Sequence, residues 1–322
     1  MSRTLQTVRV GYFGKIPARA DFVKACDNPA LVALLDDWLA GVMNRFTSDP
    51  RWKLNYDALR PLHFAFVGTR SHRAIAGHII ASSDESQRRY PFVAMSSLTV
   101  EQPERFLPLS PVVLSWLWQE QAQLAQAVLD AANPEPELQA LANGVVEVDP
   151  SSAAYLQAYQ DFLEHQTLAG MEALLGRPKV RRMILALGLL MEPVRDCGAS
   201  RLVRGLALPL PQVARYRFLV ASFWLELIAP FLMAGEFELS LFLAEQQERQ
   251  VLVIGFGGAE PETLFSIADP VFAGEYQITL DHTDWVEAQI AGDADTQKLS
   301  ACLEQGQLSL RAAAALFHES FS

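Results

Sequence analysis

Residues 8–23, VRVGYFGKIPARADFV, restrict the backbone more tightly than any other segment of the chain. Val8, Val10 and Tyr12 alternate with Arg9, Gly11 and Phe13, the period of a half-buried strand. Gly11 and Gly14 let the backbone crowd a neighbour or take a positive φ, and Pro17 fixes φ just after Lys15. Asp21 and Phe22 follow, so one short turn gathers a cation, an anion and an aromatic ring. Such a segment is either a tight structural corner or a recognition loop carried on a rigid strand. It is not a phosphate-cradling P-loop, because Arg9 stands where that motif needs glycine and Ile16 where it needs Ser or Thr.

A second dense segment, SSDESQRRYPF, holds Ser82, Asp84, Arg88, Tyr90 and Pro91. Asp84 suits an Asx-type turn, and Arg88 can fork onto a carboxylate or onto carbonyls. An ion pair from Arg88 to Asp84 or to Asp21 would hold this bend against the opening loop. The same two loops could equally form a docking surface for a partner.

The length of 322 residues favours two domains, and the element order places their boundary near residue 140, giving segments 1–140 and 141–322. The start, MSRTLQTVRV, has no apolar core of the kind a secretory signal needs. Cys26, Cys197 and Cys302 are far apart and form no C-x-x-C, which suits buried free thiols in a reducing compartment. The net charge is −11, and its excess lies in residues 234–322, where Arg249, Lys298 and Arg311 face 15 acidic side chains. That balance argues against non-specific nucleic-acid binding, which needs clustered cations. The acidic end would meet a basic partner or serve solubility.

Along the chain, Asn28-Pro29 opens a helix with Leu31, Leu34, Leu35, Trp38, Val42 and Phe46 on its apolar face. Strand-like runs follow at 62–67, 74–81 and 90–98, and Ser110-Pro111 opens a further helix. This order predicts an α+β domain with longin/profilin-like connectivity, ended by a linker at the Pro-rich 133–137. The second segment reads as a helix-rich mixed α/β unit. It has helices after Pro150-Ser151-Ser152 and over 180–191, and a strand over 202–210. A hairpin over 237–243 and 251–256 follows, then a short helix over 260–267, a strand over 276–280 and a final helix over 296–317. The apolar run 218–234 carries Glu226 at its centre and Pro230 near its end, and reads as a buried helix and not a membrane span.

Candidate chemistry is sparse. Gly255, Gly257 and Gly258 follow a strand, but Glu260 occupies the third glycine position of a dinucleotide fingerprint, so a tight turn is expected. Asp281, His282 and Asp284 are the nearest approach to a metal cluster and read as a solvated turn. No G-x-S-x-G elbow is present. Arg177, Lys179, Arg181 and Arg182 crowd a helix start, where the dipole disfavours cations, so neutralising partners are expected.

The opening segment resembles the G-x-x-G-K-x-P-x-x-G-D-F-V start of the TagF/ImpM family of type VI secretion accessory proteins. Gly11, Gly14, Lys15, Pro17, Asp21, Phe22 and Val23 match in order, while Ala20 replaces a glycine. Ser82, Asp84, Arg88, Tyr90 and Pro91 resemble that family's S-x-D-x-x-G-R-x-F/Y-P segment, with Gln87 in place of glycine and Ala81 in place of a frequent proline. The resemblance implies a cytoplasmic, non-enzymatic regulator with no cofactor and no metal. Such a protein restrains type VI secretion after translation by binding the forkhead-associated scaffold protein of the apparatus, without nucleic acid or membrane insertion. A phosphopeptide- or nucleotide-sensing module, with Lys15, Arg19, Arg88 and Arg89 as anion anchors, is the alternative. An unrecognised hydrolase is the third reading.

Overall fold

The alternation at Val8–Tyr12 produces two strands, where one is expected from the sequence. In the computed structural model, which describes residues 5–151, 153–199, 202–233 and 235–321, the strands are β1 (Gln6–Arg9), β2 (Gly11–Gly14), β3 (Val23–Ala25), β4 (Leu62–Gly68), β5 (Arg73–Ile80), β6 (Phe92–Thr99), β7 (Val145–Val148), β8 (Gly205–Pro209), β9 (Glu238–Gln246), β10 (Arg249–Gly255) and β11 (Gln277–Thr279). Between β1 and β2 the Val10 N–H donates to the Gly144 carbonyl at 2.9 Å. β1 then pairs with β7 in a small sheet of its own, and β2 enters the main sheet. Period-two alternation reports which face is buried, not which neighbour is paired, so this change of partner is invisible in the pattern.

The main sheet has nine strands in the order β11-β8-β10-β9-β4-β5-β6-β2-β3. β5 connects β4 to β6, and β6 lies beside β2, the connectivity expected for the first segment. β9 pairs with β4 along six residue pairs from His63↔Leu243 to Gly68↔Glu238, so the strands of both segments form one continuous surface. The β9–β10 hairpin turns at Gln247 and Glu248, both with positive φ.

Helices cover both faces, giving three layers of mixed α and β structure. In β4, Ala65 and Val67 join the core under the Pro103–Asp130 and Ala214–Leu232 helices, while Leu62, Phe64 and Phe66 join the core under Pro29–Phe46 and Pro261–Ala268. Two buried tryptophans fasten the first layer to the sheet. Trp118 Nε1 donates to the Phe64 carbonyl and Trp224 Nε1 to the Pro209 carbonyl, each at 2.9 Å. Neither indole loses its hydrogen bond on burial, so both contribute packing without a polar penalty.

Asn28 caps the Pro29–Phe46 helix, its Oδ1 accepting from the Ala30 and Leu31 N–H groups at 3.1 and 3.3 Å. Asn28→Ala should therefore cost about 1 kcal/mol in chemical denaturation. Leu34, counted in the apolar stripe, is exposed; the rest of the stripe is buried. The helix expected to open at Ser110 starts earlier, at Pro103, and absorbs Pro108 and Pro111. Pro111 has no N–H for the Leu107 carbonyl, and the Ser110 hydroxyl donates to that carbonyl instead at 2.8 Å. The expected linker at 133–137 is itself a helix start. Pro136 sits in the first turn of Glu135–Ala142, with Glu135 and Glu137 favouring the dipole and Leu138 and Leu141 buried.

The final helix is two, Ala294–Leu303 and Leu310–Ser320, interrupted around Gly306 and restarted by the Ser309 cap. The apolar run lies in Ala214–Leu232, buried along most of its length, and no helix among the described residues is long and apolar enough to cross a membrane. Ser152 and Ala234, which the sequence reading placed at a helix entry and at the end of the apolar run, lie outside the described residues. Cys26 and Cys302 are half-buried, not fully buried, and the side chain of Cys197 lies outside the described part.

The acidic excess of residues 234–322 is met in part from within the chain. Glu262 pairs with Arg45, Glu236 with Arg70, and Asp281 with both Arg177 and Arg249. Arg182 bonds Asp284 and Glu287 at 2.9 Å each, and Arg181 bonds Glu287 at 2.8 Å. The basic cluster at the Val180–Met191 helix start thus has its neutralising partners. Two of them, Asp281 and Asp284, flank His282 in the polar turn after β11. Among the described residues no group of three His, Cys, Asp or Glu side chains could hold a metal ion.

Candidate functional site

The two motif-bearing bends are in contact, because β2, which leads into the first, lies beside β6, which follows the second. Gly14 makes this approach possible. Its φ is +138° and a Cβ there would sit 2.1 Å from the Pro91 carbonyl oxygen. Pro17 occupies the second position of a turn closed by the Arg19 N–H donating to the Ile16 carbonyl at 3.2 Å. Lys15, just before that turn, is buried.

Asp84 is the centre of the joint. It is fully buried, and its Oδ2 accepts from Lys15 Nζ at 2.8 Å and from Arg88 Nε at 2.7 Å. Its Oδ1 accepts from the backbone N–H groups of Ser86 and Arg88 at 3.0 and 2.9 Å, the Asx-type turn expected from the sequence. Arg88 Nη2 then donates to the Ala20 carbonyl at 2.8 Å, tying the second bend to the first. Burial alone would raise the Asp84 carboxyl, but the Lys15 and Arg88 side chains and the Arg88 amide hold it well below the usual carboxylate range. Of the two partners expected for Arg88, the structure selects Asp84; Asp21 is exposed and has no ion pair among the described residues.

An aromatic cluster closes the outer side. Phe22 stacks on Phe13 with centroids 5.3 Å apart and meets the edge of Tyr90 at 4.8 Å. Lys15 Nζ lies 5.0 Å from the Phe22 centroid, so the buried cation also faces a ring. Tyr90 Oη donates to Asp36 Oδ1 at 2.7 Å, connecting the cluster to the Pro29–Phe46 helix. Burial, followed by that carboxylate, pushes the Tyr90 hydroxyl far up. Phe22 itself stays 46 % exposed.

The remaining motif residues are structural. The Ser82 carbonyl accepts from Tyr56 Oη and the Tyr90 N–H, and its own N–H donates to Tyr56 Oη. A Cβ on Gly11 would meet Cys26 at 2.9 Å. Gln87, standing at a family glycine position, keeps the glycine-like φ of 61°; Ala20, at the other, has no positive φ.

Sequence reasoning brought the two bends together but missed Lys15 as the partner of Asp84. Its four anion anchors are otherwise engaged: Lys15 and Arg88 hold Asp84, Arg19 reaches Glu135 at 3.0 Å, and Arg89 forks onto Asp57 at 2.7 and 2.6 Å. A ligand anion at this joint would have to displace a carboxylate already bound to each cation. Also missed was a histidine pair, His63 and His78, directly opposite in the β4–β5 register with Nδ1 atoms 3.1 Å apart. Counting residues around the hairpin from its turn would have placed the two rings together.

The sequence model of the TagF N-terminal domain, type VI secretion system-associated, matches residues 11–145. No curated protein matches the chain. Among solved structures, the crystal structure of PA0076 from Pseudomonas aeruginosa PAO1 is similar over 44 % of this chain, with 23 % identity and a TM-score of 0.37. The chain covers 64 % of that protein's length, less than two thirds. The matched residues contain both bends, the Lys15–Asp84–Arg88 joint and the aromatic cluster. Residues 11–145 thus match a TagF N-terminal domain, type VI secretion system-associated.

Proposed function

We propose that the protein is a non-enzymatic, post-translational negative regulator of type VI secretion that acts by binding the forkhead-associated scaffold protein of the apparatus. One observation carries this reading: the polar side chains of the two motifs bond to each other, which rigidifies a surface instead of aiming reactive groups into a cavity. What that surface presents is Phe22, held half-exposed between Phe13 and Tyr90, beside the exposed Asp21. A fixed aromatic ring rimmed by charge is the usual composition of a protein-binding hot spot. The match of residues 11–145 to a type VI secretion-associated domain names the system in which the partner is sought.

Co-purification from cells at native expression tests the proposal. The scaffold should be recovered with the protein, and Phe22→Ala should weaken the complex at least about tenfold, the cost of losing one anchor side chain. Phe22 is half-exposed, so the variant should stay folded. Deletion should raise secretion. Absence of the scaffold from the purified material, with secretion unchanged by deletion, would remove the proposal.

A further inference from the structure

We infer that the cleft over the seam between β4 and β9 binds a nucleotide, with the phosphates on a set of guanidinium groups and the base against an aromatic floor. The cleft measures about 940 Å³ and lies between the Pro103–Asp130 and Ala214–Leu232 helices, sharing no residue with the motif bends. Arg60, Arg215 and Arg217 line it, against the single carboxylate of Glu245. This is an unusual concentration of positive charge in a chain of net charge −11, whose other arginine cluster is matched by carboxylates.

The charges are poorly compensated. Arg60 reaches Glu245 only at 3.9 Å, and Glu245 already accepts from Gln250 at 2.9 Å. Arg215 and Arg217 have no ion pair among the described residues. Arg217 is anchored by donating to the Pro211 and Gln212 carbonyls at 3.2 and 2.8 Å, which fixes its position and leaves its charge in place. Ala214, the first residue of its 19-residue helix, also lines the cleft, and no side chain caps the N–H groups there. Guanidinium forks and free helical N–H groups both recognise phosphate oxygens.

The floor is aromatic. Phe218 stacks on Trp118 at 5.9 Å and 21°, and Trp118 on His63 at 5.5 Å and 24°, with Phe218 and His63 at the cleft wall. Trp116, 60 % exposed, follows the cleft-lining Val112 by one helical turn and adjoins the cleft-lining Ser115 in sequence. Cations beside flat apolar rings suit a molecule that is anionic at one end and aromatic at the other. A site at the junction of two structural halves is the common position for such a ligand. The inference stands apart from the proposed scaffold binding and does not depend on it.

Titration of the full chain with ADP, followed by intrinsic tryptophan fluorescence and thermal shift, tests this. ADP should quench the emission and raise Tm by several degrees at saturation. Adenosine and pyrophosphate, each carrying half of the recognition, should bind at least about tenfold more weakly. The double variant R60E/R215E, at partly exposed positions, should keep the native circular dichroism and lose at least about tenfold in ADP affinity, while Trp116→Ala should lose severalfold. Absence of ADP binding at millimolar concentration overturns the inference. So does equal affinity in the charge-reversed variant, which would put the nucleotide elsewhere. Arginine-dependent binding of oligoglutamate without binding of ADP would also overturn it, and would assign the cleft to an acidic protein segment.

Discussion

Replacing Lys15 by methionine is expected to destabilise the protein by about 3 kcal/mol in urea denaturation. Lys15 is 8 % exposed and Asp84 is fully buried, so removal of the ammonium leaves a carboxylate inside the protein with Arg88 as its remaining cation. Breaking a buried ion pair from one side costs far more than breaking a surface pair, because the orphaned charge cannot regain water. The persistence of Arg88 places the expected value at the low end of the range for such losses. A measured change below about 1 kcal/mol, the size typical of exposed pairs, would mean that the joint is hydrated and does not hold the two bends. Arg88→Lys is a useful companion: it retains the charge but gives up the fork between Asp84 and the Ala20 carbonyl, and should loosen the first bend.

Acidification from pH 7 to pH 4 should remove about 3 kcal/mol of stability through His78 alone. Burial lowers the pKa of His78 to about 4, offset in part by a hydrogen bond to the Leu62 backbone, while an unfolded histidine titrates near about 6.5. The unfolded chain therefore takes up the proton first. The stabilisation is complete above about pH 6.5 and is lost as pH falls toward the folded value. His63 moves in the same direction, by burial and then by the neighbouring His78 and Arg217 charges. Asp84 acts in a lower window: its depressed pKa gives stability that is present above about pH 4 and lost below it. His78→Gln keeps a hydrogen-bonding partner for His63 Nδ1 and removes one titration. Chemical denaturation of both proteins at several pH values should show a shallower slope for the variant above pH 4. An unchanged slope would show that another group governs acid sensitivity.

What could be read in the sequence was what depends on near neighbours. The Asn28 cap, the polar hairpin turn within 246–249 and the Asx turn at Asp84 each involve residues within a few positions of one another. The motif residues were legible for the same reason, and their adjacency followed from the ion pair expected of Arg88 with Asp84 or Asp21. The Lys15–Asp84 bond spans 69 positions and depends on β2 lying next to β6, which no local pattern encodes. The cleft is further removed from sequence. Arg60 meets Arg215 and Arg217 only because β9 crosses back to β4, and each arginine alone looks like an ordinary surface cation. The two errors of helix extent had physical causes. Proline was read as a start at 111, where a serine hydroxyl had taken over the missing bond, and as a stop at 136, where it opened a helix.

The β4–β9 seam has a consequence for how the protein is handled in cells and in the laboratory. A fragment ending with the matched residues, near position 145, would keep β5 beside β4 but bare the backbone donors and acceptors of β4, a strand reading LHFAFVG, that face β9. A long apolar strand with an open ladder templates pairing with another chain, so such a fragment should aggregate unless something covers that edge. The later half of the molecule thereby supplies the strand that covers this edge of the earlier one. During synthesis, β4 must wait for residues emitted some 170 positions later before its edge is sealed.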